Sequence, residues 1–262
     1  MNKIKILLGD LTYFNKYSTP MNTIPLNIGY ISSYVNKLYG SKCDISLFKS
    51  PEKLLANVRI SSPDIVGLSC YYWNTNLNIF VSNRIKKINP NCVVVIGGPS
   101  IDVDKEEQRS LFESFKGKVD FLVINEGEIG FANIVDKMLN NDLNKNEPID
   151  GCTTFIDNKS ISGKDVGLSL DLEELPSPIL SGILDEFLTS EFMPLLQTSR
   201  MCPYTCTYCC SGKLKGKIRK FPSSQVKKEI AYLAKKYQNC PYRTLFIVDE
   251  NFGVHGQRDV DI

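Results

Sequence analysis

The 262-residue sequence lacks a strong excess of either charge and lacks a long apolar segment. Its 31 basic and 29 acidic residues give a net charge of +2, which excludes a strong electrostatic attraction to nucleic acid or to an anionic membrane surface. The longest apolar runs, such as Val93 to Ile96, are far shorter than a membrane span. The apolar part of the amino-terminal segment is too short for a signal peptide. We therefore expect neither nucleic acid nor membrane as a partner.

Histidine is scarce, with His255 as its single representative, whereas cysteine occurs nine times. Nine cysteines in a chain without an export signal argue against a disulfide framework. Cys43, Cys70 and Cys92 lie in or beside apolar strand patterns, where a free cysteine behaves as a small core residue.

Strand and helix patterns alternate through residues 1–150, and a helical pattern follows each apolar run. Five such runs predict strands, at Ile4–Leu8, Ile45–Phe48, Asp64–Cys70, Cys92–Ile96 and Asp120–Ile124. Because right-handed crossovers place helices on both faces of such a sheet, this part predicts an α/β domain with a doubly wound, parallel, five-stranded sheet.

Ligands of such sheets bind outside the carboxyl ends of the strands, near the topological switch point. Small and polar residues occupy these ends, in Ser69-Cys70-Tyr71, Gly97-Gly98-Pro99 and Glu126-Gly127-Glu128. Glycine at such places would let the backbone approach a large ligand closely. The alternative is that these segments are ordinary strand-to-helix turns.

Residues 151–190 are interpreted as a linker, and residues 191–262 as a second part. This second part contains a strand at Leu195–Thr198, a cysteine-rich loop, a helix at Ser223–Tyr237 and a strand at Thr244–Val248. The order strand, loop, helix, strand is that of the opening of a (β/α) barrel.

Cys202, Cys206 and Cys209 are separated by three residues and then by two. Thiolates are the usual ligands of iron–sulfur clusters, and three ligands for four irons leave one iron open to a chelating ligand. A structural zinc site needs a fourth ligand, but Cys210 is adjacent to Cys209 and His255 is distant in sequence. The spacing therefore favours a cluster, with zinc or unliganded thiols as alternatives. A cluster predicts a reducing, cytoplasmic location.

At this point the sequence resembles a known family. SRMCPYTCTYCC, KIRKFPSSQVKKEIAYL and LFIVDENF resemble the signature of radical S-adenosylmethionine enzymes with its next helix and strand. PLNIGYISSYV, DIVGLSCYYWN, VVVIGGPS and DFLVINEGEIGF resemble the flavodoxin-like cobalamin-binding domain that precedes it in one large subgroup. The resemblance implies a [4Fe–4S] cluster on Cys202, Cys206 and Cys209, with S-adenosyl-L-methionine on the open iron. It also implies cobalamin in the first domain.

The resemblance also implies roles for other residues. The backbone around Tyr208 would border the adenine, and Glu250 would lie near the methionine amino group, unless Glu250 is a surface acid at a strand end. It implies no catalytic residue beyond the cofactor ligands. The positions that match the cobalamin-binding loops are Ser69, Gly97, Gly98, Glu126 and Gly127.

Two departures from the family pattern bear on these assignments. The D-x-H-x-x-G motif that supplies a cobalt-ligating histidine is absent, since no histidine follows Asp10. Met201 occupies the position before the first cysteine where glycine is usual, and methionine resists the backbone angles that glycine permits. The basic residues from Lys213 to Lys220 could bind an anionic ligand, although such basic runs more often form solvated loops. His255 could lie near the substrate, although a lone histidine in a loop usually has no functional role.

A partial (β/α)6 barrel of this family requires about 180 residues after the cluster strand at roughly 30 residues per unit. About 65 residues follow Leu195, so residues 191–262 predict only the start of the barrel. We expect a fragment, a truncated protein or half of a split enzyme whose barrel a second chain could complete. The predicted reaction is reductive cleavage of S-adenosylmethionine, leading to methyl transfer, ring rearrangement or cyclisation on an unknown small-molecule or natural-product substrate. Flavodoxin or ferredoxin would be the electron donor. The alternative is a non-catalytic cobalamin-binding module with a remnant cluster or a zinc site.

Overall fold

The computed structural model describes residues 3–13, 22–209, 217–240 and 244–262. The described chain forms two compact units. The first contains residues 1–20 and 34–169, and the second contains residues 21–33 and 170–262. The division therefore passes through helix α1 (Leu26–Tyr39), which contributes residues to both units.

A seven-stranded, mostly parallel sheet forms the centre of the first unit. The strand order is β2-β1-β3-β4-β5-β6-β7, and the first five strands are parallel. Its strands are β1 (Ile4–Gly9), β2 (Cys43–Phe48), β3 (Ile65–Ser69), β4 (Val93–Gly97), β5 (Phe121–Val123), β6 (Cys152–Ile156) and β7 (Lys159–Ser162). The order 2-1-3-4-5 reverses direction between β1 and β3, which makes their carboxyl ends the topological switch point.

A helix follows each parallel strand, as the alternating patterns predicted. These helices are α1, α2 (Pro51–Ser61), α3 (Thr75–Ile88), α4 (Lys105–Ser114) and α5 (Gly127–Leu139). Local capping fixes two of the helix starts. The Ser50 side chain accepts a hydrogen bond from the Lys53 amide ahead of Pro51, and Asp104 accepts from the Glu106 and Glu107 amides.

The core of the first unit is built from strands β3 and β4 and the inner faces of the helices. All five residues of β3 are buried, and so are the first four of β4, as expected for a parallel strand covered on both faces. The interpretation of Cys43, Cys70 and Cys92 as core residues is confirmed, since all three are buried. Burial raises the pKa of the Cys92 thiol to about 12, so this thiol is inert near neutral pH.

The predicted five-stranded sheet is too small, because β6 and β7 from the predicted linker extend it. β6 pairs antiparallel with β5 through Leu122–Thr153 and Val123–Cys152, and β7 pairs antiparallel with β6. Asp157 and Asn158 have φ angles of 48° and 61°, the left-handed values of a tight hairpin turn. The polar hairpin satisfies backbone groups at the edge of β5, a long-range requirement that the local pattern of residues 151–162 does not show.

The second unit has less regular structure. β8 (Leu195–Leu196) pairs in parallel with β11 (Phe246–Ile247), and β9 (Ser199–Arg200) pairs antiparallel with β10 (Arg219–Lys220). Its helices beyond α1 are α6 (Ser223–Lys236) and the short α7 (Gln257–Val260). The predicted strand, helix and second parallel strand are thus present in order, with shorter strands than expected.

Among the residues that the structure describes, no helix combines the length and the apolar character needed to cross a membrane.

Candidate functional site

The carboxyl ends of β3 and β4 lie side by side in the first unit. Ser69 and Gly97 are register partners at the last positions of these strands. The Ser69 carbonyl accepts hydrogen bonds from the Asn74 and Asn78 side chains, at 3.1 and 3.0 Å. The structure therefore brings together two of the predicted cobalamin-contacting residues, next to the switch point.

Gly97 and Gly98 have different structural roles. A Cβ on Gly97 would meet only the Val123 side chain, at an ordinary 3.7 Å. Gly98 has a φ of +110°, and a Cβ there would lie 2.9 Å from the Cys70 carbonyl oxygen. Gly98 is thus required by the close packing of two backbone segments, whereas space beside Gly97 is compatible with a ligand.

The other two predicted contacts lie where the β5–α5 loop meets the helix, with Glu126 as the last loop residue and Gly127 as the first residue of α5, and both are half-buried. Glu126 is the N-cap residue of α5, and Asn125 before it has a φ of 58°. The Asn125 side-chain nitrogen Nδ2 donates to both carboxylate oxygens of Asp165, at 3.0 and 2.9 Å. Gly167 has no room for a Cβ because Asn125 and the neighbouring backbone lie against it, so residues 165–167 fix this loop from one side.

The loop between β3 and α3 carries aromatic residues that the sequence analysis did not select. Tyr72 is 83% exposed and Trp73 is 69% exposed, and the Trp73 ring stacks on Tyr71 with a centroid distance of 4.5 Å. The buried Asn74 side chain anchors the loop through the Leu11 and Ser69 carbonyls. The usable signal was a run of three aromatic residues directly after a buried strand.

Asp10, which would begin a histidine-ligating cobalamin motif, lies directly after β1. Its carboxylate forms an ion pair with Lys49 at 2.9 Å, and both side chains are largely buried. The acid at this position is therefore paired with a lysine from the end of β2 rather than with a histidine.

The cysteine loop of the second unit carries Cys202, Cys206 and Cys209, with Cys206 exposed and the other two half-buried. None of the three is in a disulfide. The Cys209 amide donates to the Cys206 carbonyl at 3.1 Å, which forms a tight turn between these two thiols. The Tyr208 side chain is 90% exposed.

Three reduced, accessible thiols on one loop have the donor chemistry that an iron–sulfur cluster requires. Within the described ranges, however, no three His, Cys, Asp or Glu side chains are gathered closely enough to hold a metal ion. The three sulfurs are therefore not preassembled in ligand geometry, and their assignment as cluster ligands stays a prediction.

Met201, immediately before Cys202, adopts a φ of 76° and is only 5% exposed. This left-handed conformation is the one that glycine takes easily. The departure from the family glycine thus leaves a glycine-like backbone with a buried methionine side chain.

The two acids after β11 differ in their surroundings. Glu250, the predicted contact of the methionine amino group, is exposed. Asp249 is half-buried and its carboxylate accepts hydrogen bonds from the Thr198 amide, the Thr198 hydroxyl and the Ser199 hydroxyl. The sequence analysis overlooked Asp249, because its partners lie about fifty positions earlier in the chain.

The weaker candidates have mixed environments. Lys213 and Lys215 lie outside the described residues, and Lys220 is exposed. Arg219 donates to the Leu170 carbonyl at 2.8 Å, which is a structural contact. The backbone of His255 is bonded to Asp259, and burial lowers the pKa of its imidazole.

Comparison with known proteins finds one family that matches part of the chain. Residues 17–135 match the B12 binding domain family. This part of the chain is therefore similar to a B12 binding domain. The matched residues include β2 through β5 and α1 through α4, and therefore the carboxyl-end loops after β3 and β4.

Most of the chain is similar to curated methyltransferases. The chain is 30% identical over 227 residues to the cobalamin-dependent radical SAM methyltransferase TokK of Streptomyces tokunonensis, covering 82% of this chain and 32% of that protein. It is 28% identical, with the same coverage, to the 2-(S-pantetheinyl)-carbapenam-3-carboxylate methyltransferase of Streptantibioticus cattleyicolor. An uncharacterized methyltransferase of Pyrococcus horikoshii is 25% identical over 248 residues, covering 91% of this chain and 51% of that protein. The chain thus spans about a third of the first two relatives.

Proposed function

We propose that this chain is part of a cobalamin-dependent radical S-adenosylmethionine methyltransferase. Cobalamin binds at the carboxyl edge of the first sheet, and Cys202, Cys206 and Cys209 hold a [4Fe–4S] cluster. When bound, the cluster would supply the reductive cleavage of S-adenosylmethionine that starts radical chemistry, and cobalamin would supply methyl transfer.

The observation that carries this proposal is the extent of the similarity to TokK. The 227 aligned residues are more than the first unit contains, so the alignment includes part of the second unit as well. A B12 binding domain used for another purpose would be expected to share only the first unit with such enzymes.

The edge of the sheet has the properties that a large, flat and partly apolar ligand requires. Ser69 and Gly97 are short residues at adjacent strand ends, and Gly97 has space beside it. Tyr72 and Trp73 offer exposed aromatic surface from the neighbouring loop. In this proposal these residues bury the cofactor against the sheet, and the loop of Glu126 and Gly127 closes the site.

In the second unit, Cys202, Cys206 and Cys209 would supply three thiolates to the cluster, which would bind S-adenosylmethionine. The backbone beside Tyr208 would border the adenine, and the exposed Glu250 carboxylate would accept hydrogen bonds from the methionine amino group. The parallel pair β8–β11, with α6 between its strands in sequence, is the beginning of the partial (β/α)6 barrel.

The remaining parts of the enzyme follow from the same proposal. Further protein, either a continuation of the chain or a second chain, completes the barrel and covers the cofactors. The substrate is a small molecule or natural product, the electron donor is a flavodoxin or ferredoxin, and the location is cytoplasmic because the cluster needs reducing conditions.

The cluster assignment is tested by anaerobic reconstitution with iron and sulfide, followed by metal and sulfide analysis and visible absorption. We expect about four irons and four sulfides per chain, and alanine at Cys202, Cys206 or Cys209 to abolish the brown chromophore. Cys240→Ala is the matched control, because Cys240 is a half-buried free thiol outside the loop. One zinc per chain without labile sulfide, or an unchanged spectrum in all three loop variants, would reject the assignment.

The cobalamin assignment is tested by equilibrium dialysis with hydroxocobalamin. Trp73 is the only tryptophan of the chain, so its fluorescence reports on the proposed edge directly. We expect binding to quench it beyond the inner-filter effect measured with free tryptophan. Cobalamin binding without a cluster would instead support the non-catalytic module.

A further inference from the structure

Thr198 lies where the chain leaves β8 and enters the segment that carries the cysteine loop. It is fully buried, so its polar groups must find partners within the protein. The next two residues form β9, which pairs with β10 after the loop. The cysteine loop is therefore closed at its base by a short antiparallel ribbon, and Thr198 lies at the foot of that ribbon.

Asp249 binds this junction from the end of the neighbouring strand. Its carboxylate accepts from the Thr198 amide at 2.6 Å, from the Thr198 hydroxyl at 2.6 Å and from the Ser199 hydroxyl at 2.8 Å. Hydrogen bonds to an ionised acceptor are stronger than neutral ones. One side chain thus fixes the backbone and both hydroxyls of two successive residues.

Arg258 binds the same junction and also the far end of the loop. One terminal nitrogen of its guanidinium donates to the Thr198 carbonyl and to the Phe221 carbonyl, both at 2.9 Å. The Phe221 amide also donates to the Thr198 carbonyl at 3.0 Å. Because Phe221 follows β10 directly, Arg258 joins the residue before the ribbon to the residue after it.

The segment that carries Arg258 is itself ordered by Asp259. The Asp259 carboxylate accepts from the Gly253 and His255 amides, at 2.9 and 3.0 Å, and from Arg258 at 2.8 Å. This carboxylate is almost fully buried. Asp259 therefore fixes the position of the Arg258 guanidinium, which in turn binds the base of the cysteine loop.

We infer that Asp249 and Arg258 form a clamp that positions the cysteine loop for its metal group. Both are positioning residues, because they act through Thr198, Ser199 and Phe221 rather than on the cluster. The two consecutive acids after β11 then have separate tasks, with Asp249 bound to the loop base and Glu250 exposed. This inference rests on the proposed function of the loop as the cluster site.

The clamp is tested with Asp249→Ala, Asp249→Asn and Arg258→Lys, with Asp261→Asn as control. Asp261 is an exposed acid of the same segment, bonded only locally to Gln257 among the described residues. Asparagine keeps the shape of Asp249 and one hydrogen-bond acceptor. Asp249→Asn can therefore be used for the test if Asp249→Ala does not fold. Lysine keeps the charge of Arg258 but cannot reproduce its fork of donors.

In the metal-free protein we expect faster hydrogen exchange at the Thr198 and Phe221 amides in Asp249→Ala, with global melting measured alongside. After anaerobic reconstitution we expect about tenfold weaker iron retention against a chelator, the size typical of lost outer-shell partners. The electron paramagnetic resonance spectrum of the reduced cluster should also change. The iron retention of Asp249→Asn and Arg258→Lys should lie between that of Asp249→Ala and that of the control. The control Asp261→Asn should retain iron as well as the wild type does.

The two possible failures are distinguishable. Wild-type protein that takes up no iron and sulfide would overturn the proposed function and the clamp together. Wild-type protein that forms a cluster, with Asp249→Ala retaining iron and giving a spectrum like Asp261→Asn, would overturn the clamp alone. Changed amide exchange without any change at the cluster would also overturn it, since it would show a merely structural network.

Discussion

At the scale of single residues, Met201 shows how a departure from a family pattern can keep the local geometry. Its φ of 76° lies in the region that a side chain disfavours by roughly 1–2 kcal/mol. The side chain is buried, and burial of a methionine contributes roughly 1.5–3 kcal/mol in the opposite direction. Packing thus offsets the strain, and the loop starts as it would with glycine.

This balance predicts an unusual order of stabilities at position 201. Alanine loses the packing and keeps the strain, whereas glycine loses the packing and relieves the strain. We expect Met201→Ala to lower the free energy of unfolding by about 1 kcal/mol more than Met201→Gly, the reverse of the usual order of these residues. Urea denaturation of the metal-free protein checks the order, and an alanine variant as stable as the glycine variant would contradict it.

Gly97 and Gly98 are adjacent but are expected to respond differently to a methyl group. Gly98→Ala forces a Cβ against the Cys70 carbonyl at a positive φ, so we expect a loss of about 1–3 kcal/mol in stability. Gly97→Ala meets only ordinary contacts, so its stability should change by less than about 0.5 kcal/mol. If cobalamin lies beside Gly97, that variant should nevertheless bind hydroxocobalamin more weakly in dialysis. Equal destabilisation by both substitutions would refute the distinction.

At the scale of elements, helix α6 buries an acid on an otherwise basic helix. Glu229 is 1% exposed and accepts a hydrogen bond from Gln225 at 3.1 Å, while Lys227 and Lys228 are exposed. Burial raises the pKa of the Glu229 carboxyl above its usual range, despite its hydrogen bonds to Ser177 and Gln225. The folded protein therefore binds the proton of the Glu229 carboxyl more tightly than the unfolded chain does.

When the carboxyl pKa is higher in the folded than in the unfolded protein, the free energy of unfolding falls as the pH rises from the unfolded-state pKa to the folded-state pKa. Glu229→Gln removes this loss, because glutamine keeps the shape and stays neutral. We expect the variant to melt at a higher temperature than the wild type at about pH 8. The gap should close as the pH falls well below the unfolded value of about 4.3, where the glutamate is protonated in both states. Glu191→Gln, which replaces an exposed acid of the same unit, is the matched control. A constant gap across the range would contradict the assignment of the effect to protonation.

At the scale of the whole molecule, the strand-end loops proposed for cobalamin and the cysteine loop belong to different compact units. The residues proposed for cobalamin, from Ser69 to Gly127, all lie in the first unit, and the three loop cysteines all lie in the second. The proposal therefore assigns each cofactor to residues of a single unit.

This division predicts that the two cofactors load independently. A variant with alanine at Cys202, Cys206 and Cys209 should lose iron and sulfide completely and still bind hydroxocobalamin within about threefold of the wild-type affinity, well under the tenfold that 1.4 kcal/mol represents. Dialysis and metal analysis on the same preparation check this. Loss of cobalamin binding in the triple cysteine variant would show that the sites depend on each other.

The sequence by itself determined the alternation of buried strands and helices in the first 139 residues, because apolar periodicity and helix caps are local signals. It also determined which three cysteines share a loop, since their spacing is a local property. These features needed no knowledge of distant partners.

Only the tertiary structure decided that residues 152–162 extend the sheet, that Gly98 rather than Gly97 is required for packing, and that Asp249 binds the loop base. In each case the deciding contact joins residues far apart in the chain: β5 with β6, Gly98 with Cys70, and Asp249 with Thr198. A local sequence pattern indicates whether a residue is buried or lies in a turn. Which distant residue it contacts is decided only when the strands assemble in the folded protein.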